Sequence, residues 1–433
     1  RDPRYTDAWL NLGRLHQENA AEDPGAPGKA LAAYEAILGY EPGHREARFQ
    51  VAALRQSLGE LERSQAELSR LPPEDRDRPA ALAVALANHA ARGEEAEAEA
   101  AGEKLLAHRE LAAEDVRPIL PVLVSHGRDD LVVRIVETLR QKGLAASADL
   151  EALGAAYARQ GRLALSREAL EAATRSRPDD AALLLALARV AYDQTDLEGA
   201  VGYLGHARAV TPQDPRVHFF LGMVSVELDL GAEAYAALGE AVRLDPDSPE
   251  ANYAFGSVAM HRKDPTEALP YFRRYSELRP DDYRGPYAVG VALYLAKHYV
   301  AARTQLLPLA ERQETAAGAS YLLARIARAL NEEEEALRLA RRAVEADPLS
   351  ADGYSELGLL YQRFGEAERA EEALTRCLEI DPDHYLGNLH LLLLYSRTRD
   401  PRKAAQQERF DELRKRRAEQ AADLLRPVEI RPY

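Results

Sequence analysis

Residues 351–382, ADGYSELGLLYQRFGEAERAEEALTRCLEIDP, carry the pattern of two amphipathic helices joined by a short turn. Apolar residues recur at spacings of three and four in both halves, which is the periodicity of a buried helix face. The small residues Gly358 and Ala370 stand among them, and Pro382 follows the second half. Because proline cannot continue a helix, Pro382 marks the end of the second helix. The stretch predicts one helix–turn–helix unit.

The pattern recurs along the chain with a period of 34 residues, and such a period indicates a repeat architecture. The prolines at this period are Pro178, Pro212, Pro246, Pro280, Pro348 and Pro382, with Glu314 in the one slot that lacks proline. The alanines are Ala200, Ala234, Ala268, Ala302, Ala336, Ala370 and Ala404. One glycine series is Gly154, Gly222, Gly256, Gly290 and Gly358, with Ala188 and Ala324 in its gaps. A second glycine series is Gly59, Gly93, Gly127 and Gly161.

Each series has a physical reason. The Gly59 series falls between the two helices of a unit, where a left-handed turn favours glycine. The Gly154 and Ala200 series place small side chains where two antiparallel helices cross closely. Larger side chains at these positions would push the helices apart.

This spacing resembles the tetratricopeptide repeat, a helix–turn–helix family with a period of 34 residues. The family pattern W-x2-L-G-x2-Y, A-x3-F and P is matched by Trp9, Leu12, Gly13, Ala30, Tyr34 and Pro42, with His16 in the tyrosine place. It is matched again by Leu153, Gly154 and Tyr157, and by Leu357, Gly358, Tyr361, Ala370, Leu374 and Pro382. The resemblance implies an all-α fold, a right-handed superhelical solenoid of about twelve repeats with a long C-terminal capping helix and an extended tail.

The repeat pattern divides the chain into five parts. They are a first unit at 1–44, divergent units at 45–146, regular units at 147–384, a last unit with an extended capping helix at 385–425, and an extended tail at 426–433.

Two irregularities predict local departures from the repeat geometry. The first unit carries a five-residue insertion within residues 20–28, between its two helices. The unit that starts near residue 113 has Pro118 and Pro121 in its first helix. Because proline removes a backbone donor and clashes with the preceding turn, we expect Pro121 to kink or break that helix.

The last unit differs from the others in its second helix and in the segment after that helix. The helix predicted at 401–425 is longer than the repeat requires, with Phe410 and Leu413 in a narrow apolar stripe. A polar terminal helix of this kind covers the last apolar face of a repeat array. The prolines in 426–433 favour an extended segment, and this segment presents Val428, Ile430 and Tyr433.

Composition and motifs argue against several functional classes. The net charge of -15 gives no general affinity for nucleic acid or for anionic membranes, and no apolar run reaches the roughly 20 residues of a membrane span. The histidines form no zinc-binding helix pair, and no phosphate loop or nucleophile elbow is found. Cys377, the one cysteine, shares its repeat position with alanines and is predicted to be a core residue. We therefore predict a non-enzymatic protein without cofactor or metal.

The resemblance implies that the first helix of each unit lines a concave groove. Repeat positions 2, 5, 9 and 12 share one helical face, and in the middle units this face is rich in tyrosine and arginine, as binding hot spots are. We expect an extended peptide to bind there; the alternative is that several of these residues pack against neighbouring helices. The Lys and Asn clamp by which some family members hold a chaperone C-terminus is absent. The predicted groove residues are Arg189, Arg216, Phe219, Met223, Tyr253, Met260, Arg284, Tyr287, Val291, Tyr294, Tyr321, Arg325 and Arg328.

We consider three hypotheses for function, all based on binding to protein partners. The first is a structural protein whose copies stack head to tail into a filament. The second is a monomeric adaptor whose groove binds an extended segment of another protein, and the third is the interaction arm of a larger enzyme or secretion machine. The absence of Met at residue 1 favours an exported protein over a cytoplasmic one. The residues expected at the end-to-end contact are Trp9, Leu12, Phe410, Leu413, Val428, Ile430 and Tyr433.

Overall fold

The computed structural model describes residues 5–419, and within this range the secondary structure is helical and contains no strand. Consecutive helices pack against each other in pairs, and the chain forms two compact bodies, Arg1–Val210 and Thr211–Tyr433. The all-α repeat architecture is confirmed. The repeat count and the handedness of the superhelix stay predictions.

The helices of the N-terminal body are short and regular in most units. They are α1 Thr6–Glu18, α2 Ala26–Tyr40, α3 Arg45–Ser57, α4 Leu61–Ser69, α5 Pro73–Arg76, α6 Pro79–Ala91, α7 Glu95–Ala107, α8 Ala113–Val116, α9 Leu120–Ser125, α10 Asp129–Gln141, α11 Ser147–Arg159, α12 Leu163–Thr174, α13 Ala181–Asp193 and α14 Leu197–Val210. Short 3₁₀ turns lie at Asn19–Ala21 and Arg117–Ile119.

The C-terminal body continues the alternation of first and second helices. Its helices are α15 Pro215–Glu227, α16 Gly231–Leu244, α17 Pro249–His261, α18 Pro265–Leu278, α19 Arg284–Leu295, α20 Tyr299–Leu306, α21 Ala316–Ala329, α22 Glu333–Ala346, α23 Ala351–Arg363, α24 Ala367–Ile380, α25 Tyr385–Thr398 and α26 Lys403–Glu419. A 3₁₀ turn lies at Pro308–Glu311.

The turn within each unit after the first contains a residue in the left-handed region of backbone conformation. The glycines predicted for this role adopt it, as Gly59 does with φ of 77°. The same repeat position keeps the left-handed conformation where the residue is not glycine. These non-glycine positions are Thr195, Asp229, Lys263, Lys297, Asn331 and Arg399, with φ between 57° and 65°.

The glycines of the first helices lie where two helices cross. A Cβ atom on Gly358 would stand 2.5 Å from Cγ of Leu374, and the pair Gly222 and Leu238 shows the same 2.5 Å approach. Such distances leave no room for a methyl group, so the predicted role of this series is confirmed. Cys377 is also confirmed as a core residue, and its burial raises the pKa of the thiol to about 12.

The proline-containing helix of the unit near residue 113 is broken, as predicted. It is divided into α8, the 3₁₀ turn at Arg117–Ile119 and α9. Arg117 donates from Nε and Nη2 to the buried carboxylate of Asp149 at 3.1 Å, which attaches the break to α11. A second break lies in the unit that has Glu314 in place of the terminal proline. There α20 ends at Leu306, just before Pro308. We did not predict that break, although Pro308 in a second helix signals it.

The last unit packs α26 against α25. Phe410 and Leu413 are buried, and the ring centroid of Phe410 lies 5.0 Å from that of Tyr385. Their burial assigns them to the core of the unit, and this corrects their placement at an exposed end contact. The structure describes the predicted 401–425 helix as far as Glu419; its remainder and the tail at 426–433 lie outside the described residues.

Candidate functional site

The predicted groove residues lie on first helices, and three of them belong to the core. Met223 is 2 % exposed, and Tyr253 and Met260 are each 7 % exposed. The Tyr253 ring packs against Phe272 and Tyr275, with centroid separations of 5.6 and 4.9 Å. We correct the placement of these three side chains in the groove, because buried side chains present almost no surface to a partner.

Three predicted arginines are exposed but already have carboxylate partners nearby in the sequence. Arg189 of the N-terminal body pairs with Asp193 at 3.2 Å. Arg216 pairs with Asp214 at 2.7 Å, and Arg284 pairs with Asp282 at 2.5 Å. Phe219 and Val291 are half-buried against the apolar core of the C-terminal body. The charge of each of these three arginines is thus already paired, and Phe219 and Val291 have no polar side-chain atom.

The remaining five predicted residues gather on α19 and α21, which are adjacent first helices. Cζ of Arg325 lies 5.3 Å from the ring centroid of Tyr294 and 5.5 Å from that of Tyr321. Nη1 of Arg325 also donates to the Tyr321 hydroxyl at 2.9 Å. A guanidinium between two aromatic rings gains cation–π attraction from both. We refer to Tyr287, Tyr294, Tyr321, Arg325 and Arg328 as the tyrosine–arginine cluster.

The two arginines of the cluster differ in their electrostatic partners. Nε of Arg328 donates to Oε1 of Glu356 at 2.5 Å, and the Glu356 side chain is 6 % exposed. Arg325 has no described carboxylate within 4.0 Å of its guanidinium nitrogens, and its Nε is buried without a hydrogen-bond partner. A cation removed from water needs a compensating group. Arg325 therefore has no direct ion pair on this face, although the carboxylates of Asp352 and Glu356 lie near enough to interact with its charge.

Tyr287 and Tyr321 occupy the same repeat position in consecutive units. Each lies beside the residue that follows it by 31 positions in the sequence. The Tyr321 hydroxyl lies 3.5 Å from Oδ1 of Asp352. At Tyr287 the corresponding residue is Gly318, where an added Cβ would stand 2.5 Å from the tyrosine hydroxyl oxygen. Gly318 thus makes room for the end of the Tyr287 side chain. Burial raises the pKa of the Tyr287 hydroxyl, so this tyrosine is neutral at physiological pH.

Polar residues that the sequence reasoning missed complete this face on α23 and before α25. Asp352 accepts a hydrogen bond from Nε2 of His384 at 3.1 Å, and this bond is the main cause that lowers the pKa of Asp352. Glu356 holds Arg328. The sequence signal was available in the same period, because Asp352 occupies repeat position 2 and Glu356 position 6 of the unit after Tyr321.

The residues predicted for the end-to-end contact differ in their exposure, and three of them are not described by the structure. Trp9 is half-buried and packs on the core between α1, α2 and α3, whereas Leu12 is 37 % exposed. Leu15, one turn further along α1, is 51 % exposed. Val428, Ile430 and Tyr433 lie outside the described residues.

Two findings concern other kinds of site. In residues 5–419 no helix is long and apolar enough to cross a membrane. Over the same part of the chain, no three His, Cys, Asp or Glu side chains are grouped so that they could hold a metal ion.

Comparison with protein-family models identifies the repeat. Tetratricopeptide repeat models match residues 21–88 and 157–222, residues 221–283, and residues 351–384. The chain belongs to the tetratricopeptide repeat family. The comparison with curated proteins found no match.

Solved tetratricopeptide structures resemble this repeat protein at low identity. YrrB, described as a TPR protein with an unusual peptide-binding site, is 24 % identical over 52 % of this chain and 98 % of its own, with a TM-score of 0.33. A tetratricopeptide repeat protein from Parabacteroides merdae is 17 % identical over 57 % of this chain and 98 % of its own, with a TM-score of 0.43. Yeast Tom70 is 14 % identical over 96 % of both chains, with a TM-score of 0.39.

Membership of the family makes this chain a protein–protein interaction scaffold. Tetratricopeptide proteins bind protein partners and are generally not catalytic.

Proposed function

We propose that this scaffold is an adaptor that binds an extended, acidic segment of another protein at the tyrosine–arginine cluster. The observation that carries the proposal is the half-buried guanidinium of Arg325, which lies between Tyr294 and Tyr321 and has no described carboxylate within 4.0 Å. A carboxylate from a partner supplies the missing charge and forms the stronger, charge-assisted type of hydrogen bond. The ring faces of the tyrosines cover the apolar parts of the same segment.

The position of the cluster supports an extended ligand. Tyr287 lies on α19, Tyr321 and Arg325 lie on α21, and Asp352 lies on α23. A segment that crosses these three first helices meets an aromatic ring, a cation and then an anion. We therefore expect an acidic residue in the middle of the bound segment and a basic or hydrogen-bond-donating residue near Asp352.

A selection from random peptides displayed on phage tests this proposal. We expect the selected peptides to be enriched in Asp or Glu and to bind Arg325→Gln at least about tenfold more weakly. Tyr287→Ala combined with Tyr321→Ala should weaken the same peptides. The matched control is Arg338→Gln, because Arg338 is on a second helix, is 66 % exposed and has its own partner in Glu335. Peptides without acidic enrichment, or equal losses in Arg325→Gln and Arg338→Gln, would contradict the proposal.

A second proposal is self-association into a head-to-tail filament, and one observation favours it. Leu12 and Leu15 expose aliphatic surface on the same face of α1, and exposed apolar patches often mark protein contacts. Contacts between unlike surfaces of identical chains can continue as filaments. Light scattering at increasing concentration should show growing particles that Leu12→Asp with Leu15→Asp abolishes. A monomer at all concentrations would exclude this function.

A further inference from the structure

The first helix of the last unit carries leucines at the positions where earlier first helices carry tyrosine and arginine. Leu386, Leu389 and Leu393 occupy repeat positions 2, 5 and 9 of that unit. Leu386 is 37 % exposed, Leu393 is 49 % exposed and Leu389 is half-buried. Spacings of three and four place the three side chains on one side of α25. We refer to these three residues as the leucine stripe.

Leu359 extends this aliphatic surface toward the tyrosine–arginine cluster. It occupies repeat position 9 on α23 and is half-buried, and Arg325 occupies the same position on α21. The first helices α21, α23 and α25 pack side by side in this order. Arg325, Leu359 and Leu393 therefore follow one another across three neighbouring helices.

Hydrogen bonds between these helices hold the cluster and the leucine stripe in one arrangement. Nε of Arg328 on α21 donates to Oε1 of Glu356 on α23 at 2.5 Å. Nε2 of Gln362 on α23 donates to the carbonyl of His390 on α25 at 2.9 Å, and both residues are buried. Nη1 of Arg397 on α25 donates to the carbonyl of Gln362 at 2.7 Å. A partner thus meets helices that are already positioned, which reduces the ordering cost of binding.

The two ends of this surface differ in the interaction that they offer. At α21 the guanidinium of Arg325 attracts a carboxylate. At α25 the leucine side chains have no polar atom, so burial of apolar surface is the attraction that they provide. A charged partner side chain on the leucine stripe would lose its hydration without a replacement hydrogen bond.

We propose that the segment bound at the tyrosine–arginine cluster also carries an aliphatic residue that binds the leucine stripe; this inference rests on the proposed adaptor function. Packed helices lie about 8–10 Å apart, so α21 and α25 are separated by roughly 16–20 Å. An extended chain advances about 3.3 Å per residue, so about six residues cover this distance. Because alternate residues of an extended chain face the same side, an even separation directs the acidic and the aliphatic side chains to the same surface. Leu359 lies along the path between them.

Selection from random phage-displayed peptides on two separate baits tests this inference. We expect the wild type to select an acidic residue with Leu, Ile or Val about six positions before or after it. Leu393→Ser should still select the acidic residue but lose the aliphatic one. The matched control bait is Leu349→Ser, because Leu349 is 69 % exposed in the turn before α23, and it should select the same peptides as the wild type.

The outcomes separate this inference from the proposed function. Wild-type peptides with an acidic residue but no aliphatic residue at that separation would overturn the inference and leave the adaptor function standing. Peptides without acidic enrichment would contradict the adaptor function itself. Aliphatic residues at spacings of three and four would indicate a bound helix, and they would also overturn the inference.

A double-mutant cycle with a synthetic copy of the most enriched peptide tests the contact directly. Replacing the peptide's aliphatic residue by serine should weaken binding to the wild type at least about tenfold. The same replacement should weaken binding to Leu393→Ser by less than about twofold, because the contact is already lost. Hydrogen-exchange protection of α25 shows that Leu393→Ser is folded. Equal losses on the two proteins would mean that the aliphatic residue binds elsewhere and would overturn the inference.

Discussion

Arg328 on α21 and Glu356 on α23 form a close ion pair at a buried position of the first-helix face. Nε of Arg328 lies 2.5 Å from Oε1 of Glu356, and the side chains are 24 % and 6 % exposed. The pair connects two consecutive first helices beside the unpaired Arg325. It therefore fixes the surface on which we place the partner.

Removing the Glu356 carboxylate should strongly lower the local stability of α21 and α23. Glu356→Ala leaves Arg328 as a partly buried, uncompensated charge, and we expect a loss of about 3 kcal/mol in local stability. Native-state hydrogen exchange of α21 and α23 measures it, because a repeat array does not unfold in one step. The double variant Glu356→Ala with Arg328→Met should recover most of the loss. A loss that is equal in the single and double variants would contradict the charge explanation.

The left-handed turn residues predict stabilising substitutions. Thr195 and Lys263 have φ of 60° and 65°, and this conformation costs a residue with a Cβ about 1 kcal/mol or more relative to glycine. Thr195→Gly and Lys263→Gly should each stabilise their own turn by about 1 kcal/mol, measured by exchange of the flanking helices. The converse variant Gly161→Ala should destabilise its turn by a similar amount. Destabilisation by Lys263→Gly would contradict the strain argument.

The lowered pKa of Asp282 predicts that the stability of the fold depends on pH in the acid range. Its hydrogen bonds with the Arg284 guanidinium lower its pKa to about 2, compared with an unfolded value of about 3.9. Because the folded pKa is the lower one, the carboxylate stabilises the structure fully above pH ~4 and loses this contribution between pH ~4 and ~2. Asp282→Asn should remove the part of the stability change that falls in this window. Asp281→Asn, at an exposed neighbour, should keep the wild-type profile.

The repeat period predicted most of the fold because the repeated residues are those that constrain the backbone locally. Prolines, turn glycines and crossing glycines each mark a backbone constraint that occurs within one unit. The left-handed conformation at Lys263 could not be recognised from the residue type, since the geometry there is imposed by the helices on either side. The break before Pro308 was not predicted because Pro308 lies outside the 34-residue proline series.

The candidate site was predicted less well, for a physical reason. Repeat position tells which helix face a residue occupies, but not how closely the next unit covers that face. Tyr253 and Tyr287 have the same repeat position, yet Tyr253 is buried against Phe272 and Tyr275 whereas Tyr287 is only partly buried beside Gly318. The repeat positions of Asp352 and Glu356 follow from the same period, but their pairing with His384 and Arg328 depends on contacts between units, which the periodicity of a single helix does not reveal.

At the crossing of α23 and α24, we expect the effect of Gly358→Ala on stability to depend on the residue at position 374. Gly358→Ala in the wild type places a methyl group 2.5 Å from Leu374, and we expect a loss of about 1–3 kcal/mol from overpacking. Leu374→Ala alone should cost about 2–5 kcal/mol because it leaves a cavity.

In the Leu374→Ala background the same Gly358→Ala change should become neutral or stabilising, because the methyl group then fills part of the cavity and alanine favours the helix. The chain already contains this combination in a neighbouring unit, where Ala324 and Ala340 occupy the equivalent positions and are both buried. Exchange of α23 and α24 in the two single variants and the double variant gives the coupling energy. Additive losses would show that the two side chains do not share the space at this crossing.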